Sequence, residues 1–147
     1  MQPSQSFREV CAAHGIAVTQ QREVLYAVMQ GLEGHPSPEE IYAEVRRRIP
    51  AISLATVYKN IHLFVESGIL RQVSLHHGSQ RVERNEHEHH HLVCSRCKAI
   101  TDIGSDELGT AGLLQGRNLP GGFRAERIAV DVVGICVRCQ DAESRPQ

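Results

Sequence analysis

Residues 52–68 read ISLATVYKNIHLFVESG, and this stretch predicts a helix that opens at Ser53 and ends near Ser67. Ser53 is a favourable N-cap because its side-chain oxygen can accept from the first free N–H groups. Gly68 supplies the left-handed stop at the other end. Apolar residues recur at helical spacing in between and predict one buried stripe, made of Leu54, Val57, Ile61, Phe64 and Val65.

The same periodicity leaves other side chains of this helix outside the stripe. Thr56 and Lys59 point away from the core, and Asn60 and Tyr58 fall on opposite flanks. A helix with one buried face and one polar face can pack on a small domain and still present side chains to a partner.

Helices also precede this segment. Thr19 can cap a helix that ends near Gly31, with apolar positions at helical spacing. Residues 37–40, SPEE, form a capping box with proline at the first helical position, and Pro50 stops that helix. The spacing predicts its buried stripe at Ile41, Tyr42 and Val45.

Two short strands follow the Ser53 helix. Residues 69–75 and 80–84 are predicted to form a hairpin around residues 76–79, HHGS. Helices followed by a hairpin are the winged form of a helix-turn-helix, so residues 1–84 are predicted to be a winged-helix DNA-binding domain.

Composition and charge exclude few functional classes of protein. The chain has 147 residues, 41% of them apolar, and a formal net charge of -1. Residues 1–84 hold nine Lys/Arg and eight Asp/Glu, whereas residues 85–147 hold seven and nine, so charge permits DNA binding without arguing for it. No apolar run of about 18 residues and no secretory signal is present, so we expect no membrane partner and a cytoplasmic location.

The second half of the chain has another pattern. Residues 92–93 and 99–103 are predicted strands, 105 to about 115 a helix, and 123–135 a long strand. Residues 92–140 are therefore expected to form a small α/β domain, which gives the whole chain an α+β fold. Such a unit buries little apolar surface alone and should depend on a bound ion and a partner subunit. Residues 141–147 are expected to be a disordered tail.

Four of the five cysteines form two C-x2-C pairs, Cys94/Cys97 and Cys136/Cys139, separated by 38 residues. Two pairs of thiolates make a closed tetrahedral shell that suits a structural zinc, and a reducing cytosol disfavours disulfides. Residues 92–140 are therefore expected to be a zinc-binding dimerisation domain. Cys11 stands apart and is interpreted as a small buried apolar residue.

Residues 87–91, HEHHH, are a second cluster with metal chemistry. On a helix, His87, Glu88 and His91 would match the H-E-x-x-H motif of zinc hydrolases. No apolar helical stripe supports a helix there, and in an extended strand His87, His89 and His91 share one face. Residues 85–91 are therefore expected to be a linker strand that carries metal ligands. A solvated polar linker is the plainer alternative for residues 85–91.

These motifs together resemble the ferric uptake regulator family in order and spacing. The matching segments are residues 35–42, HPSPEEIY, residues 52–60, ISLATVYKN, the histidine cluster and both C-x2-C pairs. The resemblance implies a homodimeric, non-enzymatic transcriptional repressor that binds double-stranded operator DNA with an inverted repeat.

The resemblance also implies a regulatory metal site. Its ligands would be His35, Glu83, His89, His91 and Asp102. Three imidazoles and two carboxylates suit Fe(II) or Mn(II), with Zn(II) possible in vitro. Metal binding would fix the relative orientation of the two domains.

The branch of the family is harder to assign. The regulators of zinc uptake usually carry cysteine at the position of Glu83, so its glutamate argues against that branch. Asp102 and the Lys59-Asn60 pair favour the peroxide-sensing branch, whereas Glu83 is typical of iron-uptake regulators, which remain the alternative. Gly109 and Ile128 stand where a further metal site of many members would have ligands.

For DNA contact, the exposed face of the Ser53 helix is expected in the major groove. Arg22 resembles an arginine of the family's Thr-x-Gln-Arg element and is expected at a phosphate. The candidate DNA-contacting residues are Arg22, Ser53, Thr56, Tyr58 and Lys59.

Overall fold

A computed structural model describes residues 5–73 and 80–145 of the chain. The chain divides into two compact units, Met1–Asn85 and Glu86–Gln147, called unit 1 and unit 2 below. No described helix combines the length and apolar character needed to cross a membrane.

Unit 1 begins with four helices whose ends follow the local sequence. They are α1 (Phe7–His14), α2 (Gln20–Gly31), α3 (Pro38–Arg48) and α4 (Leu54–Glu66). The predicted N-caps of the last three are confirmed, since Thr19, Ser37 and Ser53 each accept a hydrogen bond from the backbone N–H three residues on. Ser37 and Glu40 complete the predicted capping box.

A two-stranded hairpin follows α4. Gly68 adopts φ +85°, the left-handed conformation predicted for the helix stop. Strands β1 (Leu70–Val73) and β2 (Arg81–Arg84) then pair antiparallel, with Leu70 opposite Arg84. The predicted turn at residues 76–79 and the predicted end of the first strand at residues 74–75 lie outside the described residues.

Apolar side chains from all four helices and both strands form the core of unit 1. Val57, Ile61 and Phe64 of α4 are fully buried, as the helical stripe predicts. Leu54 is a correction, because it is 37% exposed in the first turn of α4, where the helix extends past the core. Other fully buried apolar side chains include Leu25, Ile41, Val45 and Val82. Unit 1 therefore has the helices and hairpin of the predicted winged helix-turn-helix.

Unit 2 is a three-stranded sheet with short helices. Strand β3 (His89–Cys94) lies in the middle, antiparallel to β4 (Ile100–Gly104) and parallel to β5 (Asp131–Gly134). Helix α5 (Ser105–Leu108) follows β4, and α6 (Val137–Ser144) follows β5. A short 3-10 helix covers Pro120–Gly122. Together the two units confirm the predicted α+β class.

Three sequence-based expectations for unit 2 are wrong. The helix expected from residue 105 to about 115 ends at Leu108, because Gly109 turns into the left-handed region at φ +76°. The strand expected over residues 123–135 is reduced to Asp131–Gly134, because β3 offers partners only to those residues. The expected disordered tail is helical up to Ser144, the end of α6.

The described part of unit 2 has almost no apolar core. Its buried apolar side chains are Val93 and Cys94. Several large apolar side chains are instead exposed, among them Phe123 at 68% and Val137 at 71%. Burial of apolar surface thus contributes little to holding these strands together.

Candidate metal centres and DNA-facing helix

Four cysteine side chains meet at one end of the unit 2 sheet. Cys94 ends β3, Cys97 lies in the turn after it, Cys136 caps α6 and Cys139 lies in its first turn. Their sulfurs all lie within 4.8 Å of one another. We call this group the cysteine site.

The spacing of the sulfurs fits one tetrahedral ion. Cys94 Sγ and Cys139 Sγ are 3.9 Å apart, and Cys97 Sγ and Cys136 Sγ are 3.7 Å apart. A tetrahedral shell with zinc–sulfur bonds of about 2.3 Å places neighbouring sulfurs about 3.8 Å apart. The residues present therefore match a structural zinc in number, chemistry and distance.

Local hydrogen bonds divide the charge unevenly among these thiols. The backbone N–H of Cys136 donates to Cys94 Sγ at 3.4 Å and lowers the pKa of the Cys94 thiol to about 5. The backbone N–H of Ala99 likewise lowers the pKa of Cys97. The pKa of Cys139 is raised to about 12, mainly by its contact with the Cys136 side chain. A bound cation would favour the deprotonated form of all four thiols.

In unit 1, His35 and Glu83 form a buried pair. His35 Nε2 lies 3.1 Å from Glu83 Oε2, and both side chains are at most 8% exposed. Two hydrogen bonds hold the loop of His35 against β2. The backbone N–H of Val82 donates to the Pro36 carbonyl, and the Arg81 guanidinium donates to the His35 carbonyl. Two residues distant in sequence thus offer an imidazole and a carboxylate side by side.

In unit 2, His89, His91 and Asp102 form a second group, which we call the histidine–aspartate cluster. The Nε2 atoms of His89 and His91 each lie 3.7 Å from Asp102 Oδ1. The antiparallel pairing of β3 with β4 creates this contact, since His91 is directly opposite Asp102. An ion about 2.1 Å from both atoms of such a pair would set them about 3.0–3.5 Å apart, so the spacing is close to that of a loaded site.

The tautomer of His89 follows from its backbone contact. His89 Nδ1 lies 2.9 Å from the carbonyl oxygen of His87, which can only accept. This contact places a proton on Nδ1, so a neutral His89 has its Nε2 lone pair on the side of Asp102. This is the arrangement that an imidazole needs to bind a metal.

His90 and Asp131 were not assigned a role from the sequence. His90 is 1% exposed, with Nε2 2.6 Å from Thr110 Oγ1 and Nδ1 accepting from the N–H of Val130. It therefore ties β3 to the segments after α5 and before β5. Asp131 lies beside His91 on the neighbouring strand. The pairing of β3 with β5 brings Asp131 to His91, and no local sequence signal reveals this contact or those of His90.

The helix needed for a zinc-hydrolase motif is absent from residues 87–91. His87 and Glu88 lie outside helices and strands, and His91 is inside β3. The motif H-E-x-x-H brings its two histidines together only on a helix. The hydrolase interpretation of this cluster is therefore wrong on structural grounds.

The expected DNA-facing residues lie at the start of α4. Ser53 Oγ accepts from the N–H of Thr56, so both help to start the helix. Lys59 is exposed. Tyr58 is 36% exposed, and its hydroxyl donates to Glu39 Oε1 of α3 at 2.5 Å, which lowers the pKa of that carboxyl. The tyrosine is thus held at the surface between α3 and α4.

Arg22 has contacts inside unit 1. Its Nε donates to Asn60 Oδ1 at 3.2 Å and its Nη1 to the Ala17 carbonyl at 2.8 Å. Asn60 is 6% exposed and donates in turn to the Thr56 carbonyl. Arg22 therefore connects α2 to α4.

Known proteins resemble this chain in sequence and in fold. The model of the ferric uptake regulator family matches residues 13–116. A peroxide-responsive repressor, PerR, of Staphylococcus aureus is 30% identical over 127 residues, covering 86% of this chain and 84% of the relative.

Solved structures show the same fold. The Pseudomonas aeruginosa ferric uptake regulator with manganese has a TM-score of 0.77 at 19% identity, covering 90% of this chain and 99% of that one. The Campylobacter jejuni peroxide stress regulator has a TM-score of 0.69 at 25% identity, covering 95% and 100%. With the family model matching most of the chain, the protein belongs to the ferric uptake regulator family of metal-responsive transcription regulators.

Proposed function

We propose that this protein is a homodimeric repressor that senses peroxide through a regulatory Fe(II) or Mn(II) ion and binds an inverted-repeat operator when that ion is bound. The carrying observation is the histidine–aspartate cluster, in which two Nε2 atoms face one carboxylate oxygen at 3.7 Å. Nitrogen and oxygen donors of this kind suit Fe(II) and Mn(II).

The regulatory site in this proposal also uses the His35–Glu83 pair. His35 and Glu83 belong to unit 1, whereas His89, His91 and Asp102 belong to unit 2. An ion held by all five would bind best when the two units take one relative orientation. It would favour the form that fits DNA because a ligand shifts an equilibrium by its differential affinity for the two states.

The proposed DNA contact is made by the N-terminal half of α4 in the major groove. Ser53, Thr56, Tyr58 and Lys59 lie there, and Lys59 is the exposed cation. Arg22 is proposed at a phosphate beside this helix, in addition to its contacts with α4. The cysteine site is proposed to hold structural Zn(II) and to support dimerisation.

Asp102 and the similarity to peroxide-responsive relatives support the peroxide-sensing branch. Glu83 supports the alternative, an iron or other divalent-metal uptake regulator, because glutamate is typical of iron-uptake members at that position. When Fe(II) is bound, it supplies the redox chemistry by which peroxide oxidises a ligating histidine. The chain's own imidazoles then lose their affinity for the ion, and the DNA-binding form is no longer favoured.

Replacing Cys136 by serine tests the structural zinc. We expect the variant to lose its zinc and its dimer, because unit 2 has little apolar core to replace the four thiolates. Zinc analysis and sedimentation measure both effects. Cys11→Ala is the control, since Cys11 is a buried thiol outside the site and its removal should leave zinc in place. A zinc-free Cys136→Ser dimer would contradict the assignment.

Lys59→Ala tests the DNA contact. The probe is a duplex selected from random DNA by the Mn(II)-loaded protein. We expect weaker binding and, if Lys59 meets a phosphate, a salt slope lower by about one unit. Arg117→Ala removes an equally exposed cation from unit 2 and should change neither quantity. Equal affinity of wild type and Lys59→Ala for the duplex at several salt concentrations would show that Lys59 does not contact DNA.

His89→Ala tests the switch. The variant should remain a zinc-loaded dimer, because the cysteine site shares no ligand with the histidine–aspartate cluster, yet Mn(II) should no longer stimulate binding to the selected duplex. The matched control is His87→Ala, two residues away and exposed, which should respond to Mn(II) like wild type. Stimulation that survives in His89→Ala would rule out this cluster as the regulatory site.

Mass spectrometry tests the peroxide branch. The Fe(II)-loaded protein treated with hydrogen peroxide should gain about 16 Da on His35 or His89, since peroxide donates one oxygen atom and leaves as water. The Mn(II)-loaded protein should not gain this mass. Absence of oxidation on both histidines in the iron form would leave the repressor proposal intact and refute peroxide sensing.

A further inference from the structure

Asp131 of β5 lies beside His91 of β3, which is one of the proposed metal ligands. Strands β3 and β5 pair in parallel, with His91 in register with Asp131. Asp131 Oδ1 is 3.5 Å from His91 Nδ1, and the two side chains are 15% and 9% exposed. Few water molecules can therefore compete for this contact.

The two nitrogens of His91 face two different carboxylates. Nε2 lies 3.7 Å from Asp102 Oδ1, on the side of the proposed ion, and Nδ1 faces Asp131 on the other side. An ionised carboxylate only accepts hydrogen bonds, so Asp131 favours a proton on Nδ1, as Asp102 favours one on Nε2. When an ion replaces the proton on Nε2, the proton that faces Asp131 can stay on Nδ1.

The group that faces Nδ1 is charged for His91 and neutral for His89. His89 Nδ1 faces a neutral carbonyl, at His87, whereas His91 Nδ1 faces a carboxylate. Carboxylate–histidine pairs orient metal-binding imidazoles and strengthen their bond to the metal. Both contacts thus favour a proton on Nδ1, one from a neutral group and one from a charged group.

We propose that Asp131 is a positioning residue for the regulatory metal, which it orients and strengthens through His91 without binding the ion itself. The inference rests on the proposed function, because it assumes that the histidine–aspartate cluster holds the ion.

The experiment compares wild type, Asp131→Ala and Asp131→Asn as full-length, zinc-loaded protein. Mn(II) affinity is measured from the electron paramagnetic resonance signal of the free ion, and the tautomer of His91 from nitrogen NMR of histidine-labelled protein without Mn(II). Asp106→Ala is the control, since it removes an exposed carboxylate of the same unit.

We expect Asp131→Ala to bind Mn(II) about 10- to 100-fold more weakly, the usual effect of removing such a partner. Its His91 should also lose the preference for a proton on Nδ1. Asp131→Asn should keep that tautomer and lose less affinity, because the amide oxygen still accepts from Nδ1–H. Asp106→Ala should match wild type in both measurements.

Two results would overturn the proposal. Wild-type affinity and tautomer in Asp131→Ala would show that Asp131 does not act on His91. An equal loss of affinity in the alanine and asparagine variants, with the tautomer unchanged in the asparagine variant, would make Asp131 a direct ligand. If wild type bound no Mn(II), the proposed function would fail, whereas the tautomer comparison would still test the contact between Asp131 and His91.

Discussion

The convergence of four sulfurs at the end of β3 is the constraint on which unit 2 depends. Folding must offset the loss of chain entropy, and in most small domains apolar burial does so. The described part of unit 2 buries few apolar side chains, and its sheet has only three short strands. The cysteine site joins the turn after β3 to the start of α6 and so closes the sheet at one end. The position of β5, and with it Asp131, follows from that closure.

Unit 1, in contrast, is held together by a continuous apolar core. Its helices begin at capped positions and pack on a continuous apolar core, so the polar residues need only local support. The loop before α3 is attached to β2 by backbone and arginine contacts, which hold His35 next to Glu83. Arg22 and Asn60 likewise connect α2 to α4 below the exposed face of that helix. Donor groups are thus fixed by packing in unit 1 and by strand pairing in unit 2.

The sequence could predict what depends on neighbouring residues. Capping residues, the glycine after α4 and the C-x2-C spacing act within a few positions, and their effects agree with the structure. Features that depend on the pairing of β3 with β5 were missed. The strand expected over residues 123–135 has partners only from Asp131 onward, and the opposition of His91 and Asp131 requires knowing that β5 joins β3 in parallel. The buried contacts of His90 were missed because their partners are distant in sequence.

Strand β3 also limits how the chain can vary in length. Its six residues carry the two proposed metal-binding imidazoles near one end and a thiol of the cysteine site at the other. Neighbouring side chains alternate between the two faces of the sheet. Deleting or inserting one residue between His91 and Cys94 would turn the histidines to the wrong face relative to the cysteine. Residues 115–118 are all exposed and belong to no helix or strand, so a peptide tag could be inserted there. An insertion is therefore expected to disrupt β3 but to be tolerated about twenty residues further along the chain.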